Sequence, residues 1–296
     1  MTRILVTGAA GLLGTEICTQ LKNDPNNYVV AVDNLSRSAT VPPCDEFHHV
    51  NLRAPQWFEN FGYDFDQIYH YSAINGTTNF YERPNEVLTN NFISDVNIFE
   101  FASSNRKLQK LVYASTSEIV SDDPICPVPE LVDINIKNIH NARWSYRIAK
   151  IASENYLTNS KLPWVVVRYF NVYGKNSKKG HFIGDQLDKI RSGVFEVIGG
   201  DETRSFCYIE DAIKATIFVA NNATNEVINI GNDEEISIFD AVDIIAQATG
   251  HTDVKWTQIE GKEGSTKRRQ PDISKLRSIM PEYSPRPFSE GVLNCI

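Results

Sequence analysis

Short apolar runs alternate with stretches of helical spacing up to about residue 170. The apolar runs predict strands at Arg3–Thr7, Tyr28–Val32, Phe47–Val50, Gln67–His70, Lys110–Ala114 and Trp164–Arg168. Apolar residues three and four positions apart predict helices after the first strand through Leu21, at Val87–Ala102 and at Tyr146–Leu157. Strands this apolar, separated by helices, predict an α/β fold whose parallel sheet is covered on both faces.

The regular alternation weakens after about Asn171. A helix is predicted at Glu210–Ala220, a strand at Val227–Ile230 and another helix at Ile238–Thr249, among segments rich in glycine, charge and proline. We therefore expect two domains. The first comprises 1–170 plus about 205–232, and a smaller lobe comprises 171–204 plus 233–296.

Composition narrows the function classes. With 29 lysines and arginines against 37 aspartates and glutamates, the formal net charge is −8, which argues against nucleic acid or a membrane surface as partner. The five cysteines are scattered and never spaced as CxxC, which argues against a zinc site and a disulfide framework. The first strand begins at Arg3, which leaves no room for a signal peptide, and no apolar run reaches bilayer-spanning length. We expect a soluble, cytoplasmic protein without a metal.

A glycine-rich segment lies where the first strand must turn into a helix. Gly8 permits the tight turn, Gly11 lets the backbone approach a pyrophosphate, and Gly14 allows the helix to pack closely on the strand. The free N–H groups at the helix N-terminus would face the phosphates. The spacing is GxxGxxG rather than GxGxxG, so a purely structural turn is the alternative.

An aspartate at the end of the second strand favours a dinucleotide. Asp33 follows Gly14 by 19 residues, where a carboxylate can accept hydrogen bonds from both hydroxyls of an adenosine ribose. The same carboxylate would repel a 2′-phosphate, which favours NAD over NADP, although Arg37 nearby keeps NADP open. A capping role is the alternative for Asp33.

Two further segments carry candidate chemistry. Tyr146 and Lys150 are four positions apart in a helical segment, so their side chains share a face. A free tyrosine has a pKa of about 10, and a nearby ammonium lowers that pKa, so Tyr146 could take a proton from a sugar hydroxyl as the carbon gives hydride to nicotinamide. Lys150 could also bond the nicotinamide ribose.

The polar cluster Ser115–Glu118 follows the strand Lys110–Ala114 at the carboxyl edge of the sheet. The alternative for Tyr146 and Lys150 is an exposed surface pair. The alternative for any one residue of the Ser115–Glu118 cluster is a helix N-cap.

Together these segments resemble an extended short-chain dehydrogenase/reductase of the nucleotide-sugar epimerase/dehydratase type. They occur in the family's order over essentially the whole chain: TGAAGLLG (7–14), VDNL (32–35), SAING (72–76), STSE (115–118), YRIAK (146–150), RYFNVYG (168–174), RSFCYIEDA (204–212) and RRQPDISK (268–275). The resemblance implies a Rossmann-type, doubly wound parallel sheet that binds NAD. It also implies that the smaller C-terminal α/β lobe binds a nucleotide-diphosphate sugar.

The resemblance implies residue roles as well. Thr116, Tyr146 and Lys150 would form the catalytic triad, with Thr116 bonding the reacting C4 hydroxyl and with Ser117 and Glu118 beside it. The cofactor-binding set, besides Tyr146 and Lys150, would be Gly8, Gly11, Leu12, Leu13, Gly14, Asp33, Asn34, Asn51, Leu52, Ser72, Ala73 and Asn91. The substrate-binding set would be Asn75, Thr77, Asn171, Arg204 and Arg269.

In that set Asn171 would bond the diphosphate and the two arginines would clamp its charge, with surface ion pairing as their alternative. A UDP-sugar is the favoured substrate. The family also suggests a homodimer through the helix that carries Tyr146.

Three places depart from the family pattern. Asn51 stands where an aspartate usually contacts adenine, although an asparagine carbonyl could still accept from the amino group. Ser94-Asp95 replaces a common Gly-Thr, and Ile119-Val120-Ser121 replaces the usual Val-Tyr-Gly after the catalytic threonine. None of these residues belongs to the triad, and the last departure is expected to reshape the sugar pocket.

The residues beside Thr116 bear on the reaction that follows oxidation. A C4 ketone acidifies the C5 hydrogen and makes a C6 carboxylate labile, so epimerisation, loss of water and loss of carbon dioxide all stay open. Thr-Ser-Glu is similar to GDP-mannose dehydratases and to UDP-glucuronate decarboxylases, and Arg143-Trp144 with Arg269-Gln270-Pro271 is closer to the decarboxylases. The loop INGTTNFYERP (74–84) does not resemble theirs.

Comparison with two other groups of enzymes in the family ranks the candidate reactions. Dehydratases of dTDP-glucose carry an aspartate at the position of Ser117, and simple 4-epimerases generally lack a glutamate at the position of Glu118. We therefore place UDP-glucuronate decarboxylation ahead of a UDP-sugar 4-epimerase or a nucleotide-sugar 4,6-dehydratase.

Two rival classes share part of this pattern. A non-catalytic NAD-binding regulator would keep the glycine turn and Asp33 but would not need Thr116, Tyr146 and Lys150 together. A dehydrogenase for free alcohols would keep the triad but not a second lobe.

Overall fold

The computed structural model describes residues 1–54, 56–59, 61–120, 125–136, 138–175, 177, 180–261 and 265–296. Its first elements are β1 (Thr2–Thr7), α1 (Leu12–Leu21), β2 (Asn27–Asp33), β3 (Glu46–His49), β4 (Gln67–His70), α2 (Thr77–Glu82), α3 (Pro84–Ser104), β5 (Lys110–Thr116), α4 (Trp144–Thr158) and β6 (Trp164–Tyr169). A 3-10 turn, Ser117–Ile119, directly follows β5. Ser121, part of one sequence departure, lies outside the described residues.

The elements that follow are shorter. They are β7 (Val172–Tyr173), α5 (Phe182–Arg191), β8 (Glu196–Ile198), β9 (Thr203–Arg204), β10 (Cys207–Tyr208), α6 (Ile209–Asn222), β11 (Glu226–Ile230), β12 (Ile236–Ser237), α7 (Ile238–Ala248), β13 (Thr257–Ile259), β14 (Arg268–Arg269), α8 (Ser274–Ile279) and α9 (Phe288–Gly291). A 3-10 turn, Val292–Cys295, ends the chain.

One seven-stranded sheet has the order β11-β6-β5-β4-β1-β2-β3. Strand β1 pairs in parallel with β2 on one side and with β4 on the other, and β3 and β5 extend the parallel pairing outward. The strand order therefore reverses between β1 and β4. In open α/β sheets, ligands bind outside the carboxyl ends of the strands at such a reversal. The predicted Rossmann-type α/β fold is confirmed.

The apolar strands form the sheet because both of its faces are covered. Every residue of β6 is buried, and so are the four central residues of β2. One core cluster joins Leu5 of β1, Ile68 of β4 and Leu111 of β5 to Ile98 and Phe99 of α3. Burial of this kind fixes which strand ends meet at the edge of the sheet, and the candidate site lies at that edge.

The chain divides into two compact units. Residues 1–119, 140–168 and 213–228 form the first, and residues 120–139, 169–212 and 229–296 form the second. The described residues of the second unit form three small sheets, with the orders β12-β9-β14, β10-β7 and β13-β8. The assignment of an NAD-binding domain and a nucleotide-sugar-binding lobe stays a prediction. Within the described ranges, no helix is both long enough and apolar enough to cross a membrane.

Candidate active site

The turn between β1 and α1 requires glycine at two positions. A Cβ on Gly8, whose φ is +66°, would lie 2.5 Å from the backbone nitrogen of Ser72, two residues after β4. A Cβ on Gly14 would lie 2.1 Å from the carbonyl oxygen of Gly8, so only glycine lets α1 pack this closely on the turn. Gly11 is the N-cap of α1, and no side chain in the described part of the chain caps this helix. The first N–H groups of the helix, including those of Leu12 and Leu13, are thus available to an anion.

The carboxylate of Asp33 lies against this turn. Its Oδ2 accepts a hydrogen bond of 3.0 Å from the Ala10 N–H, and its Oδ1 accepts one of 2.7 Å from the Leu35 N–H. Each oxygen keeps a further lone pair, so the same carboxylate can accept from ribose hydroxyls. Asn34 is exposed, and its side-chain oxygen accepts from the Ser36 N–H at 3.1 Å. The glycine turn and Asp33 together fit a dinucleotide.

The predicted adenine contacts are engaged within the protein. The side-chain oxygen of Asn51 accepts from the Arg53 N–H at 3.0 Å. Leu52 is buried in the core cluster, and its carbonyl oxygen accepts from Asn97 Nδ2 at 2.7 Å. To accept a hydrogen bond from adenine, the side-chain oxygen of Asn51 would therefore have to share or give up its bond from the Arg53 N–H.

Asn91 holds the loop that follows β4. Its side chain is fully buried, and its amide accepts from the Ile74 N–H at 2.7 Å and donates to the Ile74 carbonyl at 3.0 Å. This pair of bonds fixes the segment that contains Ser72, Ala73 and Asn75. Thr77 begins α2 directly after that segment. Asn91 thus acts on the loop itself, and its place in the cofactor set stays a proposal.

Tyr146 is held at the carboxyl end of β5. Its hydroxyl shares a side-chain hydrogen bond with Thr116, and its ring stacks on Phe80 of α2 with centroids 5.1 Å apart and planes at 15°. Burial raises the pKa of Tyr146, and the charges of Asp95 and Glu118 raise it further. The four-residue spacing of Tyr146 and Lys150 predicts instead a pKa of Tyr146 lowered by the Lys150 ammonium. That expectation is wrong for this structure.

The reason lies in the contacts of Lys150. Its Nζ donates to the Tyr113 hydroxyl and to the Ala114 carbonyl, both at 3.0 Å, and it lies 3.6 Å from Asp95 Oδ2. The Lys150 charge is therefore balanced by a buried carboxylate rather than directed at Tyr146 alone. Burial lowers the pKa of Lys150, and the Asp95 charge opposes that shift.

Glu118 lies beside the triad, held by two arginines of the α4 region. Arg143 Nη2 lies 3.4 Å from Glu118 Oε2, and Arg147 Nε donates to the Glu118 carbonyl at 2.6 Å. The Glu118 N–H donates to Thr116 Oγ1 at 3.1 Å, and Ser117 between them is buried. In the sequence, Arg143 belongs to a motif typical of the decarboxylases and has no predicted role of its own. Its position three residues before Tyr146 was the available signal for a place in the site.

The residues predicted to bind the diphosphate lie in the second unit. Arg204 of β9 and Arg269 of β14 are direct partners in a parallel pairing. Arg204 Nη2 lies 2.6 Å from Glu202 Oε2, and Arg269 Nη2 donates to Thr266 Oγ1 at 2.7 Å. Asn171 has a positive φ of 38° and donates to the Ser205 carbonyl at 3.2 Å. The two arginines are thus neighbours, as a clamp requires, although Glu202 already balances one of them.

Comparison with known proteins gives the same family. Residues 4–231 match the NAD dependent epimerase/dehydratase family. The chain is 28% identical to a UDP-N-acetyl-alpha-D-glucosaminuronate decarboxylase of Bacillus cytotoxicus over 99% of this chain and 96% of that protein. It is 30% identical to a putative UDP-glucose 4-epimerase of Methanocaldococcus jannaschii over 93% of this chain and 92% of that protein.

A solved structure shares the fold over the full chain. It is a UDP-glucuronic acid 4-epimerase from Bacillus cereus in complex with UDP-glucuronic acid and NAD, with a TM-score of 0.84, 25% identity, and coverage of 99% of this chain and 98% of that one. The family match covers most of the chain and includes the glycine turn, Asp33 and the Thr116–Tyr146–Lys150 set. The chain belongs to the NAD dependent epimerase/dehydratase family, and it is an NAD-dependent enzyme of that family.

Proposed function

We propose that this enzyme acts on a UDP-linked uronic acid, oxidises it at C4, releases the C6 carboxylate as carbon dioxide and then reduces C4 again. Bound NAD supplies the chemistry of accepting and returning the hydride. The observation that carries the proposal is the pairing of Glu118 and Arg143 directly beside the Thr116–Tyr146 pair. A simple exchange of configuration at C4 would not need this additional pair of charges.

The residues of the chain take distinct parts in the proposal. Thr116 and Tyr146 hold the C4 hydroxyl, and Tyr146 accepts its proton as the C4–H bond breaks. The resulting C4 ketone is β to the C6 carboxylate, so the C5–C6 bond can break with its electron pair delocalised into the ketone. The C5 carbanion must then take up a proton that comes from water, and Glu118 lies beside the triad, where its carboxylate can accept that proton and pass it to C5.

Arg143 supports a substrate that carries a carboxylate. Its side chain is 8% exposed, and its Nε has no hydrogen-bond partner among the residues that the structure describes. The guanidinium pairs with Glu118 through Nη2 at 3.4 Å, and its planar set of donors is suited to binding a second carboxylate. This favours a uronic acid over a neutral hexose.

A UDP-sugar 4-epimerase is the second candidate. It is favoured by the putative UDP-glucose 4-epimerase of Methanocaldococcus jannaschii, at 30% identity over nearly the whole chain, and by the UDP-glucuronic acid 4-epimerase structure. A 4-epimerase would use Thr116 and Tyr146 in the same way. Glu118 and Arg143 would then only shape the pocket.

Incubation of the purified protein with NAD and a panel of nucleotide sugars tests the proposal. The panel contains UDP-glucuronate, UDP-N-acetylglucosaminuronate, UDP-glucose and the dTDP- and GDP-linked hexoses, and the products are measured by mass spectrometry. We expect a UDP-uronic acid to lose the mass of carbon dioxide. A product of unchanged mass but altered configuration supports the epimerase, loss of water supports a dehydratase, and no product with any sugar contradicts enzymatic action on these substrates.

Thermal unfolding measured with the same panel gives a control that does not depend on turnover. A ligand present at about 100 times its Kd stabilises the folded state by about 2.7 kcal/mol, so the recognised nucleotide raises the melting temperature. We expect UDP-sugars to raise it more than dTDP- or GDP-sugars.

The proposal includes a homodimer through α4 in the cytoplasm. Tyr156 on α4 and Ile93 on α3 are 38% and 39% exposed, and the two helices pack on each other. Sedimentation of the purified protein at several concentrations tests the dimer.

A further inference from the structure

A fully buried polar network lies next to Lys150. Asp95 of α3 accepts from His70 Nε2 at 2.7 Å through Oδ1 and from the Tyr113 hydroxyl at 2.5 Å through Oδ2. His70 Nδ1 lies 2.5 Å from Thr7 Oγ1 at the end of β1, and Lys150 Nζ donates to the Tyr113 hydroxyl at 3.0 Å. The network thus runs from the residue before Gly8 to the proposed catalytic lysine.

The hydrogen-bond geometry fixes where each proton lies. An ionised carboxylate only accepts, so His70 donates through Nε2, and its Nδ1 then accepts from the Thr7 hydroxyl. Burial lowers the pKa of His70 and raises the pKa of Tyr113, so both side chains are neutral at neutral pH. Burial alone would raise the pKa of Asp95, but the Lys150 charge and the bonds from His70 and Tyr113 bring it below its usual value. With Lys150 as an ammonium, the network holds one carboxylate and one cation, and their charges cancel.

From these contacts we propose that Asp95 is a positioning residue, which keeps the Lys150 ammonium charged and holds it in place through the Tyr113 hydroxyl. The inference rests on the proposed function, because it takes the Lys150 ammonium to bond the nicotinamide ribose during the reaction. Asp95 stands at one of the places where the sequence departs from the family pattern. The departure thus adds a charge at a fully buried position 3.6 Å from Lys150.

The other charged or titratable groups around Lys150 do not replace Asp95. From its own helix, Glu154 raises the pKa of Lys150, but Glu154 is bound to Arg168 at 2.7 Å. Tyr146 is on the same helix, Tyr113 faces Lys150 from β5, and His70 acts on it from β4, and all three are neutral. Glu118 of the 3-10 turn acts on Tyr146. Asp95 is thus the carboxylate that balances Lys150.

The pH dependence of kcat/KM tests the proposal in the enzyme with NAD and its nucleotide sugar. In Asp95→Asn, buried Lys150 loses its counter-ion and gives up its proton at lower pH. We expect the alkaline limb of the profile to move down by about one pH unit or more. Ser94→Ala, a change at the neighbouring buried and uncharged position, serves as the control and should leave that limb in place. If the alkaline limb of the Asp95→Asn profile stays at the wild-type pH, and kcat/KM falls by the same factor at every pH, then Asp95 only supports the fold.

Stability measurements provide a readout that needs neither substrate nor cofactor. The melting temperature of Asp95→Asn should be below that of wild type at neutral pH. The difference should shrink as pH rises, because a neutral Lys150 needs no counter-ion. In the double variant Asp95→Asn with Lys150→Met, neither charge is buried alone, so it should melt above Asp95→Asn. A double variant no more stable than Asp95→Asn, or one that also fails to fold, would overturn the pairing.

The two arms separate this inference from the proposed function. If the wild-type enzyme converts no nucleotide sugar, the proposed function fails while the stability arm still decides the Asp95–Lys150 pairing. If the wild type turns over and both arms of the Asp95 test fail, only the inference is lost.

Discussion

At the residue scale, the proposed chemistry depends on how the Tyr146 phenol could become a base. Burial, Asp95 and Glu118 all raise the pKa of this phenol, and the Arg37 charge lowers it. At neutral pH the phenol therefore keeps its proton in the structure described. An added positive charge nearby, such as oxidised nicotinamide carries, would lower the pKa. This arrangement would keep Tyr146 inactive as a base until the site is complete.

Glu118 offers a test of the steps after oxidation. In Glu118→Gln, Thr116 and Tyr146 keep their bond, so C4 oxidation should proceed, while the later proton delivery should slow by about 10²–10⁴-fold. Rapid mixing with a UDP-uronic acid should show NADH forming and then persisting. Glu59→Gln, the same change at an exposed position, serves as the control. If NADH formation also disappears in Glu118→Gln, Glu118 acts earlier or structurally.

At the element scale, the sequence predicted the long strands and helices well because burial imposes their pattern. The run WVVVR predicted β6, which extends one residue further, and α4 extends two residues before the predicted start at Tyr146. The pair β9 and β14 was not predicted, because each strand has two polar residues and is defined only by pairing with a partner far along the chain. The short helix α2 was also missed, yet its Phe80 stacks on Tyr146.

The candidate site also has parts that short sequence motifs could predict and parts that only the packed fold brings together. The glycine turn and the three residues of the proposed triad could be singled out from the sequence because they lie within short motifs, and their roles stay predictions. The network around Asp95 could not be, because β1, β4, α3 and β5 each contribute to it, and only the packed sheet brings them together. For the same reason the raised pKa of Tyr146 was not foreseen from its spacing to Lys150.

The turn between β1 and α1 offers a test at this scale. A Cβ in Gly14→Ala would meet the Gly8 carbonyl oxygen at 2.1 Å and Ala9 Cα at 2.7 Å, both backbone atoms that cannot rotate away. The turn must then open, at a cost of about 1–3 kcal/mol, and NAD affinity should fall. Calorimetric titration with NAD measures the loss.

A glycine-to-alanine change elsewhere gives the matched control. A Cβ on Gly200 would meet its nearest atom, Val197 Cγ2, at 3.7 Å, an ordinary contact. Gly200→Ala should bind NAD as wild type does. Wild-type affinity in Gly14→Ala would mean that the turn does not position the cofactor.

At the scale of the whole molecule, an acidic chain has to bind an anionic substrate and cofactor by local means. The formal net charge is −8, so there is no general positive field to attract a diphosphate. The candidate groups are the N-terminus of α1 in the first unit, which no side chain caps within the described residues, and the adjacent Arg204 and Arg269 in the second unit. These few groups are the predicted anion-binding positions, and their roles stay predictions.

The most direct test of the central claim is turnover by Tyr146→Phe with NAD and a UDP-uronic acid, followed by mass spectrometry of the products. The change removes one hydroxyl and keeps the ring that stacks on Phe80, so NAD should stay bound. Tyr156→Phe, at an exposed position of the same helix, should convert substrate as wild type does. We predict that Tyr146→Phe binds NAD but loses turnover by at least about 10²–10⁴-fold. Product formation by Tyr146→Phe at a rate near that of wild type would contradict the account.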